Sequence, residues 1–111
     1  MAITRIVVAD CIMAGNLFQE EGYDVSQSAD NLADVRGQII VDYLDSQYPG
    51  VEICADIGIQ QVSGPARPLE VMAYVGEEVI DHAESAVIQK QLTQRLAECT
   101  ADLTCWAVRA E

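Results

Sequence analysis

Arg67-Pro68-Leu69-Glu70-Val71-Met72-Ala73-Tyr74-Val75-Gly76-Glu77-Glu78-Val79-Ile80 is the stretch on which the fold turns. Leu69, Val71, Ala73 and Val75 alternate with Glu70, Met72 and Tyr74, the two-residue period of a strand that buries one face. Gly76 breaks the run, and residues 77–80 either return as an antiparallel strand or begin a helix. Asp81 followed by Glu84 favours the return. A short acceptor side chain with a carboxylate three residues on is a capping-box-like pair, and it sets a helix start at Asp81. Beyond it, Ala83, Ala86, Val87, Leu92 and Leu96 share one helical face as far as Cys99.

Upstream, Ser63-Gly64-Pro65-Ala66-Arg67-Pro68 is the strongest loop signal in the chain. Residues 51–62 read as a strand, with Val51, Ile53, Ala55, Ile57 and Ile59 facing the core and Glu52, Cys54, Asp56, Gly58 and Gln60 the wetter side. A helix is expected from Ser28 or Asp30 to Tyr48. Leu32, Val35, Ile39, Ile40, Tyr43 and Leu44 form its apolar stripe, and Pro49-Gly50 stops it. Gly37 within it points to close packing against a neighbour. Residues 3–9 are β-branched and nearly continuous in hydrophobicity after Arg5, as in a central strand covered on both faces. A loop over 10–15, a helical turn over 16–21 and an irregular stretch over 22–28 follow. Residues 104–109 are expected to form a last short strand or a packed tail.

Two arrangements fit this order. With a strand at 77–80 it is β, helix, β, loop, β, β, helix, which resembles the thioredoxin-like superfamily. The residues that carry the resemblance are Ile6-Val7-Val8 leading to Cys11, the helix from Leu32 to Tyr48 leading into Val51, and Pro68 directly before the third strand. The resemblance implies a mixed sheet packed by helices and a redox pair just after the first strand. Cys11-Ile12-Met13-Ala14 keeps only the first thiol of such a pair. With one long helix from Glu77, and residues 104–109 as a fourth strand, the order becomes the ferredoxin-like βαββαβ pattern. Both are α/β sandwiches.

Half of the 111 residues are hydrophobic and only seven are Gly and three Pro, enough apolar content for one compact α/β domain over residues 1–111. No long apolar segment is present, so neither a membrane span nor a secretory signal is expected and the predicted location is cytoplasmic. Cys11, Cys54, Cys99 and Cys105 include no CxxC pair and have no histidines at ligand spacing, the pattern of reduced, mostly buried thiols. Eighteen acidic residues against six basic ones give a net charge of −12. Such a chain is unsuited to phosphate backbones or anionic membranes. It suits a solvated acidic surface, a basic protein partner or a salty cytoplasm.

Candidate sites are sparse. Cys11, off the end of the first strand with Pro68 expected beside it, is the thiol candidate. His82, the single histidine, reads as a surface residue at a helix start. Glu77-Glu78 and Glu20-Glu21 read as solvated ends, and Cys99 with Cys105 as two free thiols across a turn. Met72, Tyr74 and Trp106, if exposed together, would make an apolar patch for a protein partner or a homodimer. With no nucleophile–base pair, phosphate loop or metal cluster, the expected function is a small interaction or regulatory module without cofactor or metal, not an enzyme. A single-thiol redox protein using Cys11 and a small-ligand-binding domain are the alternatives.

Overall fold

The structure is a computed structural model and describes residues 3–17, 22–65, 67–80 and 83–110. The elements in order are β1 (Arg5–Met13), α1 (Ala14–Leu17), α2 (Val25–Gln47), β2 (Glu52–Gln60), β3 (Glu70–Val75), β4 (Glu78–Ile80) and α3 (Ala83–Ala101), followed by a 3-10 turn at Leu103–Cys105. Together they form a small α/β domain with one mixed four-stranded sheet ordered β2-β1-β3-β4. β1 and β2 run parallel, from Arg5 opposite Glu52 to Met13 opposite Gln60, and α2 is the crossover such a pair needs. β3 lies antiparallel to β1, and β4 antiparallel to β3.

Residues 78–80 are thus the return strand. Gly76, at φ +62°, makes the turn a β-carbon would strain. Asp81 and His82, and with them the expected helix start, lie outside the described residues; the helix is seen from Ala83. The ferredoxin-like arrangement called for a helix from Glu77 and a strand at 104–109, where the structure has β4 and the 3-10 turn. The tail is packed rather than part of the sheet. Tyr23 and Arg109 form an isolated bridge, and the Asp24 and Ala110 amides donate to the carbonyls of Val108 and Gly22.

Two boundaries move. β1 continues through residues 10–13, expected as a loop, because parallel pairing to β2 persists there and Ile12 stays in the core. α2 starts at Val25, earlier than expected: the Asp24 carboxylate accepts from the Gln27 amide at 3.0 Å, an N-cap that the Asp-x-x-Gln spacing encodes. α1 starts at Ala14, two residues before the helical turn expected over 16–21 and within the expected loop, and residues 18–21 lie outside the described residues.

Ile6, Val8, Ile40, Leu44, Ile88, Leu92 and Leu96 are fully buried, so α2 and α3 pack on the same face of the sheet. Burying each such side chain contributes about 1.5–3 kcal/mol relative to leaving it exposed. Ile12, Leu32, Cys99 and Trp106 continue the core toward the end of β1. Close packing does not explain Gly37. A β-carbon there would lie 3.5 Å from Ile57 Cδ1, an ordinary contact. Gly37→Ala is therefore expected to stabilise the fold by about 0.5–1 kcal/mol in urea unfolding, through helix propensity alone. A loss of stability would show that α2 and β2 have no room for the methyl group.

Candidate functional site

The alternation along β1 splits its residues between two environments. Ile6, Val8, Asp10 and Ile12 point under the helices, and Arg5, Val7, Ala9, Cys11 and Met13 point the other way. Register carries that second set across the sheet: Val7 stands between Cys54 and Met72, Ala9 between Asp56 and Glu70, and Arg5 between Glu52 and Tyr74. Beyond Tyr74 comes Val79, more than half exposed. The Arg5 guanidinium stacks 4.2 Å from the Tyr74 ring, which lets the cation rest on the sheet without an ion pair among the described residues. Both long helices are used on the opposite side, so the central strand was expected to be covered on two faces and is covered on one. Its other face is an apolar row of Val7, Ala9, Cys11 and Met72, edged by the exposed carboxylates of Glu52, Asp56 and Glu70.

Met72 and Tyr74 lie on this face, as the patch required. Trp106 does not. It is only 3% exposed, packs with Ile12, Leu32 and Cys99 under the helices, and donates its indole N–H to the Cys99 carbonyl at 3.2 Å. Burying an indole of that size outweighs exposing it, so the three-residue patch reduces to two.

Beside the open face is a notch. β3 begins at Glu70 opposite Ala9, so residues 10–13 of β1 have no β3 neighbour. The loop arriving at Pro68 crosses this gap, held by reciprocal bonds between the Asn16 amide and the Gly64 backbone and by Ser63 Oγ donating to the Gly15 carbonyl. A β-carbon on Gly15 would fall 2.7 Å from the backbone of residues 62–63, so this approach requires glycine. Cys11 and Pro68 are thereby brought to one cavity of about 390 Å³, shared with Arg67 and Glu70. Cys11 is a part-buried residue within β1, not a loop thiol, and Cys54, on the wetter side of β2, is exposed.

Under the notch is a charged pair that the sequence does not announce. Arg36 Nε of α2 donates to Asp10 Oδ2 at 2.6 Å, with side chains 15% and 2% exposed, and Arg36 Nη1 donates to Thr100 Oγ1 at 2.9 Å. Thr100 passes its own proton to the Leu96 carbonyl, so α3 fixes the far side of the guanidinium. Burial pushes the nearby Cys99 thiol up, with Arg36 pulling the other way. Cys105 is exposed and its thiol is also raised, chiefly because it donates to the Asp102 carboxylate at 3.4 Å. All four cysteines are unbridged. Glu77 and Glu78 are exposed at the β3–β4 turn, while Glu20, Glu21 and His82 lie outside the described residues.

Among the described residues there is no group of three or more His, Cys, Asp or Glu placed to hold a metal ion, and no helix is long and apolar enough to cross a membrane. Sheet, helices and notch define a two-layer α/β domain with one sheet face left open. No protein-family model, no curated protein and no solved structure matches the chain.

Proposed function

We propose that this domain is a protein-interaction module whose open sheet face receives an apolar surface flanked by basic residues on a partner protein. The observation that carries it is the apolar row at the centre of the sheet, which no helix covers and where Val7, Ala9, Cys11 and Met72 are only part-buried. Charge selects the partner. Glu52, Asp56 and Glu70 rim the row in a chain of net charge −12, which repels a second copy of itself and attracts a cationic surface. The scaffold is thioredoxin-like on the support of its strand order, its parallel β1/β2 pair, the β3/β4 hairpin and Pro68 ahead of β3. Cys11 serves here as part of the apolar row.

The test uses three synthetic peptides of alternating pattern, Lys with Val, Glu with Val, and Lys with Ser, titrated calorimetrically into the protein. Only the Lys–Val peptide is expected to bind, and its affinity should fall as NaCl rises to 0.1 M, where screening extends over about 10 Å. The double variant Val7→Thr/Met72→Gln should weaken it about tenfold or more. Equal binding of the Lys–Ser peptide, or a stable dimer forming without any peptide, would contradict the proposal.

A further inference from the structure

The second side of the notch opens into a cavity of about 680 Å³ on the helix-covered face and so away from the docking row. Pro68, Leu69, Leu96 and Ala97 give it apolar walls, and its polar lining is Asp10, Arg36, Arg67, Thr93 and Thr100. That volume lies within the range of small-molecule sites.

Two of the chain's six basic side chains converge here, although eighteen carboxylates are available to draw them elsewhere. Arg36 is fixed by Asp10 and Thr100 through Nε and Nη1, and among the described residues Nη2 makes no hydrogen bond. Nη2 is also not sealed in the core, since it is not among the buried polar atoms without a partner. Arg67, exposed on the rim, has no ion pair among the described residues. A guanidinium already oriented by two bonds and a second at the entrance together form an anion clamp.

The charges also set the ligand's valence. Asp10 cancels Arg36, leaving the positive charge of Arg67. The carboxyl end of α3 at Ala101, which lines the same cavity, reduces that excess further. The site therefore suits one negative charge and is too weakly positive for a phosphate dianion. We infer that this cavity binds a small organic monocarboxylate, its carboxylate held between Arg36 Nη2 and Arg67 and its apolar body against Leu69 and Leu96.

The test titrates hexanoate, 1-hexanol and inorganic phosphate into the protein and follows the amides of Leu69, Thr93 and Thr100 by NMR. Hexanoate is expected to give saturable shifts at these residues and the other two probes none. Arg67→Gln, at an exposed position outside the core, should weaken hexanoate about tenfold, with Arg67→Lys retaining part of the affinity. Shifts by hexanol equal to those by hexanoate, tighter binding of phosphate, or indifference to Arg67→Gln would each overturn the assignment. Because the docking row lies on the other face, Val7→Thr/Met72→Gln should leave hexanoate binding unchanged. A loss there would overturn the separation of the two sites.

Discussion

Arg36→Leu is expected to destabilise the fold by about 3–5 kcal/mol, the cost of stranding a buried charge. The substitution leaves Asp10, whose side chain is 2% exposed, without its cation on a strand packed beneath two helices. Asp10→Leu should cost less, because Arg36 is 15% exposed and can turn Nε toward the cavity water. The double variant Asp10→Leu/Arg36→Leu should recover most of the loss, since a buried pair replaced whole by apolar groups is often neutral. Urea unfolding of all four proteins completes a double-mutant cycle. A cost below about 1 kcal/mol for Arg36→Leu would mean that water reaches Asp10, and the guanidinium would then lose the fixed orientation the anion clamp needs.

Trp106→Ala should cost about 3–5 kcal/mol, as expected for a large buried aromatic. The indole closes the core over Ile12, Leu32 and Cys99, and it also anchors the tail. From it the chain runs back along α2, where the Trp106 carbonyl accepts from Asn31 and the Val108 amide donates to the fully buried Ser28 hydroxyl. Trp106→Phe keeps much of the volume and loses the bond to the Cys99 carbonyl, so a cost of about 1–2 kcal/mol is expected. Far-ultraviolet circular dichroism through a urea titration measures both. If Trp106→Ala unfolds with the parent midpoint, the tail does not belong to the core.

What the sequence discloses follows the range of the forces involved. Leu69-Val71-Ala73 and the glycine after Val75 are local signals, and the strand and its return are where they place them. The start of α2 was equally local but lay in the pair Asp24 and Gln27, inside a stretch whose polarity reads as irregular. Pairing across elements is less accessible. Asp10 and Arg36 are 26 positions apart, and nothing in either neighbourhood indicates that β1 and α2 will bury them together. Trp106 carries no periodic context that assigns it a face. β1 misled for a physical reason: a strand with Val7 and Ala9 between Ile6, Val8 and Ile12 looks doubly buried, and hydrophobicity does not say whether a helix covers the second face.

Methyl NMR with a neutral soluble paramagnet measures the availability of that face directly. The methyl signals of Val7, Met72 and Val79 should be strongly attenuated while those of Val8 and Leu92 persist. Adding the Lys–Val peptide should restore Val7 and Met72. If Val7 and Met72 are as protected as Val8 before any peptide is added, or if the peptide restores neither, this face is not a docking surface.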